Sequence, residues 1–329
     1  MKKLLSFALS LFIVFTTLFS LSSCSSEKSE SKIDTGKISV VTTIFPYFDF
    51  TRSITGDKAD IRLLLSPGSE PHSYDPSPSD IVAIENCDIF IYNGGESDEW
   101  VESVLDSIEN KNMKVLRMMD YVDLLYEQSV DHEEHDHEEH NEEHNEEHDH
   151  DHGEEYDEHI WTSVKNAEKL TTAIYDELSL CDSANKATYS SNKDRYLSEL
   201  HSIDSEISDI VSNAKRNTVV FGDRFPFLYF VTDYSLEYEC AFPGCSSETE
   251  PSISTVTHMI DFTRECQVPV VFYLEFSNGK VAKLISEDTG AKTMRFSSCH
   301  NVTKDEFADG ATYISLMEQN ANALKEALN

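Results

Sequence analysis

The chain has 329 residues, of which 61 are Asp or Glu and 26 are Lys or Arg, giving a formal charge of −35. That balance excludes nucleic acid as a partner, because phosphate binding needs clustered Lys and Arg, and it makes cations the natural attraction. The length is enough for two lobes.

The N-terminus, MKKLLSFALSLFIVFTTLFSLSSC, places two lysines before an apolar run. Ser and Thr interrupt the run, and it stops at small residues with no basic flank, which favours a signal peptide over a membrane-spanning helix. Leu21-Ser22-Ser23-Cys24 resembles a bacterial lipobox. The reading is therefore a signal peptide over 1–23, lipid on the Cys24 thiol, and a flexible tether over 24–36. Removing Lys2 and Lys3 with the leader takes the formal −35 to −37. No later segment could span a bilayer.

From residue 37 short apolar runs alternate with helical stretches. Strands are expected at 38–44, 60–65, 87–93 and 114–118, and helices at 46–55, 78–86 and 98–108. This alternation points to a parallel sheet covered on both faces. An acidic, His-rich loop over 131–158 then interrupts the lobe. Within it, residues 131–152 contain eight His, twelve Asp or Glu and two Asn. Such a stretch cannot bury apolar surface. It could be a solvated acidic loop. The density of His132, His135, His137, His140, His144, His148, His150 and His152 favours a loose chelator, in which carboxylates hold transition metal near imidazoles. Helix returns at 162–180, closing a first lobe over 37–182.

Residues 183–214 contain no Gly or Pro, and Tyr189, Tyr196, Ile203 and Ile210 recur every seventh position. This is one long helix with a single apolar stripe, about 48 Å at 1.5 Å per residue. A coiled-coil dimer would also satisfy the stripe. A rigid strut between lobes fits better, because the α/β pattern resumes over 215–329. There, strands are expected at 217–222, 268–274 and 291–296, and helices at 252–266, 279–289 and 312–328. The expected fold is thus α/β, two lobes with parallel sheets joined by one long helix. Ligands in such sheets bind beyond the carboxyl ends of strands, here in the interlobe cleft.

Cys87, Cys181, Cys240, Cys245, Cys266 and Cys299 form no C-x-x-C pair, so a thiolate zinc knuckle is not indicated. Cys245 and Cys299 lie in loop-like sequence, where a bridge could form; the others read as small buried hydrophobes.

Candidate ligands fall just after strands. His72 lies in SPGSEPHSYDPSPSD, a loop stiffened by four prolines. His159 lies beside Trp161, and His300 follows the strand at 291–296. Asp223 ends the strand at 217–222, where it could instead cap a helix or pair with Arg224. Glu275 ends the strand at 268–274, where it could be a buried hydrogen-bond acceptor. Three imidazoles and a carboxylate would make a tetrahedral zinc site. His201 and His258 lie within helices and read as structural or surface residues.

These motifs resemble the metal-receptor lipoproteins of bacterial ABC importers for zinc and manganese, over essentially the whole chain. PGSEPHSYDPSPSD resembles the family's first ligand motif and DEHIWTS its second, implying His72 and His159 as ligands. The acidic His-rich insert resembles the zinc branch. The frame VVFGDRFPFLYF puts Arg224 where the family has its third ligand. Arginine cannot ligate a cation, so Asp223 is the nearest competent group, with Glu275 in reserve. His300 falls at the fourth position. The resemblance implies a monomeric, non-enzymatic receptor that captures Zn2+ and delivers it to a permease driven by a cytoplasmic ATPase. A third imidazole favours Zn2+, with a manganese or iron receptor of the same family as the alternative. Because the ligands must be neutral, affinity is expected to fall as pH drops through about 6.5.

Two further readings use the same residues. In a secreted zinc metallohydrolase Glu275 would act as base, but no H-E-x-x-H or similar short ligand pair occurs. A surface adhesin would use the anchored position, yet nothing in the sequence argues for a host ligand. If the acidic loop only concentrates metal, deleting 131–152 should slow uptake under zinc starvation and leave it intact at ample zinc. Uptake assays on the deletion strain check this, and abolished uptake at ample zinc contradicts it.

Overall fold

The computed structural model describes residues 36–127, 155–242, 244 and 251–329. The leader, Cys24, the eight histidines of the acidic loop and Cys245 lie outside the described residues.

The first sheet contains β1 (Ile38–Thr42), β2 (Ala59–Leu63), β3 (Ile89–Tyr92) and β4 (Lys114–Arg117), in the order β2-β1-β3-β4. Every pairing is parallel. The second contains β5 (Thr218–Arg224), β6 (Glu237–Phe242), β7 (Val270–Tyr273) and β8 (Lys292–Arg295), in the order β6-β5-β7-β8, again parallel throughout. The central strands β3 and β5 are buried on both faces, which is why IFIY in β3 and VVF in β5 read as apolar runs without alternation. β2 sits at an edge and alternates buried with exposed positions.

In the first half, α1 (Phe45–Thr55), α2 (Pro78–Glu85) and α3 (Trp100–Ser107) alternate with the strands, and α4 (Val164–Cys181) follows the acidic loop. The long helix α5 spans Lys186–Ser212. It buries Tyr189, Tyr196 and Ile203 of the seven-residue stripe, with Leu200 and Ile207 beside them, while Ile210 is partly buried. That stripe packs within the chain, on α4, on α1 and on the C-terminal helix α10 (Tyr313–Leu328), so it is not the seam of a coiled-coil dimer. The second half carries α6 (Leu228–Tyr234), α7 (Ile253–Glu265), α8 (Lys280–Thr289) and α9 (Lys304–Ala308) before α10.

Three elements were not expected from the sequence: α6, β6 and the five-residue α9, which Thr303 and Glu306 start with a capping box. α6 has only seven residues and ends on Ser235 in a left-handed conformation (φ 53°), so the glycine that commonly marks a helix end is missing. β6 reads EYECAF, with charges inside it, as suits an edge strand.

The inner faces of both sheets share one apolar core. Val40, Ile89 and Ile91 of the first sheet and Val219, Phe221 and Phe272 of the second belong to it, as do Trp161 and the α5 stripe. Each outer face has its own smaller cluster, one around Phe90 and Val101, the other around Val271 and Met259.

A buried carboxylate ties the helices of this core together. Asp49 of α1 accepts from Arg52 Nε at 2.6 Å, from Tyr196 Oη of α5 at 3.1 Å and from the Tyr313 amide of α10 at 2.8 Å. The last contact also sets the carboxylate at a helix N-terminus, where negative charge is favoured. Arg52 in turn donates to the Ala311 carbonyl. Asp49→Ala would leave a guanidinium, a hydroxyl and an amide short of an acceptor at one junction. It should cost about 3 kcal/mol, read as a lower urea midpoint with the slope unchanged.

Candidate metal centre

His72, His159 and His300 arrive from separate loops. His72 follows β2 in a 3-10 turn, Pro71–Ser73, with prolines on both sides limiting the loop's freedom. The other half of the chain braces that loop. The Gly68 amide donates to the Val302 carbonyl at 2.7 Å, and Asn301 Nδ2 donates to the Ser66 and Ser69 carbonyls at 2.9 and 3.0 Å. His159 precedes another 3-10 turn, Ile160–Thr162, and His300 follows β8. The Phe45 amide, at the start of α1, donates to the His300 carbonyl at 3.3 Å. Backbone from both halves thus fixes the cluster.

The three rings lie 5.4–5.8 Å apart by centroid. One ligating nitrogen from each lies within 4.8 Å of the others. Zinc–nitrogen bonds of about 2.0–2.1 Å hold tetrahedral nitrogens roughly 3.4 Å apart, so small ring rotations suffice to close the set on one ion. His159 and His300 are buried and His72 is partly so.

Surrounding residues aim the imidazoles. Asp157 Oδ1 lies 3.1 Å from His159 Nδ1 and also accepts the His159 amide at 2.7 Å. A carboxylate on one ring nitrogen directs the other towards a metal. Trp161 packs against His300 at 4.5 Å by centroid and donates its indole N–H to the Ser298 carbonyl at 2.8 Å. Cys299, just before His300, adopts φ 59°, a left-handed conformation uncommon for a residue with a side chain. Its buried thiol is free and lies 3.9 Å from Met317 Sδ. Burial, reinforced by Glu275, raises the pKa of that thiol well above its ordinary value.

Asp223 and Glu275 are engaged elsewhere. Asp223 Oδ2 accepts the Leu274 amide at 3.2 Å and Oδ1 accepts the Arg224 amide at 3.0 Å. Glu275 is buried. Its carboxylate accepts Ser298 N–H at 2.9 Å and Ser298 O–H at 2.5 Å, and Ser298 Oγ accepts the His300 amide at 3.2 Å. Both carboxylates stand beside the cluster, and neither belongs to the group of convergent ligand atoms among the described residues. His201 and His258 are exposed on α5 and α7.

One carboxylate at the site escaped the sequence reading. Glu158 Oε1 lies 3.6 Å from His72 Nδ1, and its carboxylate accepts both the amide and the hydroxyl of Ser97, at 2.9 and 2.5 Å. Ser97 Oγ is itself 3.1 Å from His72 Nδ1. Gly95 allows this approach, since a Cβ there would meet the Glu158 side chain at 2.7 Å, and its φ is +85°. The signal lay in DEHIWTS, where two acids directly precede the histidine.

Burial sets the electrostatics. It pushes the His72 imidazole down to about 4, with His159 and Arg224 adding to the effect. His300 is pushed well below 6.5 by burial and by its two histidine neighbours. For these two rings, proton competition therefore moves below the expected pH 6.5. The same shifts bear on stability without metal. The unfolded chain takes up protons below about 6.5, whereas the folded chain leaves both rings neutral. Stability of the metal-free protein should thus fall as pH drops from about 6.5, with the His72 contribution levelling off near 4. Urea unfolding between these limits should show the slope, and the double variant His72→Gln/His300→Gln should flatten it.

Comparison with known proteins shows the family. Residues 40–327 match the family described as zinc-uptake complex component A, periplasmic. The zinc-binding lipoprotein AdcA of Streptococcus pneumoniae R6 is 31% identical over 303 residues, which are 92% of this chain and 57% of that protein. The chain thus spans little more than half the length of that relative. The high-affinity zinc uptake system protein ZnuA of Bacillus subtilis 168 is 30% identical over 320 residues, 97% of each chain. The crystal structure of the Zn(II)-bound ZnuA-like domain of S. pneumoniae AdcA superposes with a TM-score of 0.72 at 28% identity, covering 89% of this chain and 99% of that domain. With nearly its whole length matched, two parallel sheets in the same arrangement and three histidines gathered between them, this chain belongs to the family of periplasmic zinc-uptake component A.

Proposed function

We propose that this chain is an extracytoplasmic receptor that captures Zn2+ on His72, His159 and His300 and passes it to an ABC permease and its ATPase for import. The observation that carries this reading is the convergence of three imidazoles from loops far apart in sequence onto one point. Relatives named as zinc-binding and zinc-uptake proteins support it. Three nitrogen donors favour Zn2+ over Mn2+, which prefers oxygen-rich sets. Asp223 and Glu275 serve as positioning groups, Glu275 through Ser298 and the His300 loop. No catalytic step belongs to this reading, since Glu275 spends both oxygens on Ser298.

The chain would be made with a leader over 1–23, carry lipid on Cys24, and stand off the membrane on the tether 24–36 as a monomer. No helix of the described residues is long and apolar enough to cross a membrane. The first lobe would occupy 37–182, the strut 183–214 and the second lobe 215–329. The loop at 131–152 would raise the local metal concentration.

Competitive titration of the purified domain should give tighter binding of Zn2+ than of Mn2+. His300→Ala should weaken zinc binding by roughly 100-fold or more, while His201→Ala stays within about twofold, as expected for an exposed helix position. Preferential Mn2+ binding, or indifference to His300→Ala, would reject the assignment.

A further inference from the structure

A single ion does not need the space that adjoins these histidines. A cavity of about 550 Å³ opens directly onto all three of them. Pockets for small organic ligands span about 300–1,000 Å³, whereas one water takes about 30 Å³. The far wall is apolar, built from α7 and α8. Ile253 and Leu284, two of the large hydrophobic side chains exposed on this protein, line it together with Val256. Arg224 and Lys280 add cationic groups to the same cavity.

The chemistry of the donor set matches this space. Three neutral imidazoles leave a divalent ion with its full charge and, in tetrahedral geometry, with one open position. Among the described residues no fourth protein donor joins the group. The nearby carboxylates Glu275, Asp223 and Glu158 are held by Ser298, by backbone amides and by Ser97. All three rings border this cavity, while a second cavity meets only His72 and His159. The Arg224 guanidinium, 3.3 Å from Glu70 Oε1, stands on the wall of the cavity that His72 also lines. Of the five N–H donors of a guanidinium, the contact to Glu70 engages one.

We propose that this site takes its zinc together with a small chelating organic carboxylate of the amino-acid or hydroxy-acid type. One carboxylate oxygen completes the metal's coordination, another meets Arg224, and the carbon skeleton lies against Ile253, Val256 and Leu284. The inference rests on the zinc-receptor reading and goes further, because it makes a metal chelate the captured species in place of a bare ion.

The test is equilibrium dialysis of the full folded domain, zinc-loaded and zinc-free, against labelled glycine, L-histidine and citrate. At least one probe should be retained at one per protein with zinc and at least tenfold more weakly without it. Arg224→Gln, which removes the cation, and Val256→Trp, which fills the cavity, should each lower retention at least tenfold. Retention of none of the three, equal retention without zinc, stripping of zinc by every probe, or indifference to both substitutions would overturn the proposal. Zinc binding is measured first with no probe present. If zinc binds and no probe is retained, only this inference fails; if zinc does not bind, the receptor reading fails with it.

Discussion

The structure depends on one continuous apolar core lying beneath both sheets. α5 runs along it, and Asp49 joins α1, α5 and α10 at its centre. Two sheets that share a close-packed interior cannot swing apart as independent bodies without opening that interior to water, and well-packed interiors resist such deformation. The motion available at the cleft is therefore confined to the loops and side chains above the strand ends. This is a different design from receptors that close like a hinge around a flexible linker.

The same constraint explains how three imidazoles are kept in place before an ion arrives. Each is held by backbone contacts or by a rigid neighbour: His72 by the prolines and by Asn301, His159 by Asp157, and His300 by Ser298, Trp161 and the Phe45 amide. Several of these contacts cross from one half of the chain to the other. Glu275 contributes through two intermediates, since it holds Ser298, and Ser298 holds the His300 amide. Burial favours the neutral form of His72 and His300, so much of the cost of arranging the cluster is met during folding.

Much of this was legible in the sequence because the signals were local and periodic. The apolar runs of β1, β3, β5 and β7, the heptad stripe of α5 and the histidines at strand exits each stand out from their neighbours. What was hidden depended on contacts between distant segments. α6 and β6 were missed because Ser235 replaces the usual terminating glycine and because an edge strand carries charge. Glu158 gave little sign of its place, since it is one acid among many, and only Gly95 and Ser97, some sixty positions earlier, bring it to His72. Asp223 and Glu275 were recognised as near the site, but their hydrogen bonds to Leu274 and Ser298 are tertiary facts.

Cys299 has a bearing on which elements can poison this molecule. A sulfur one residue from the His300 imidazole would ordinarily invite thiophilic ions such as Cu(I), for which deprotonated sulfur is a strong ligand. Here the left-handed turn sends the side chain inward beside Met317, and burial keeps its proton in place. The sulfur is thereby buried away from the three imidazoles, and it is the backbone turn that puts it there.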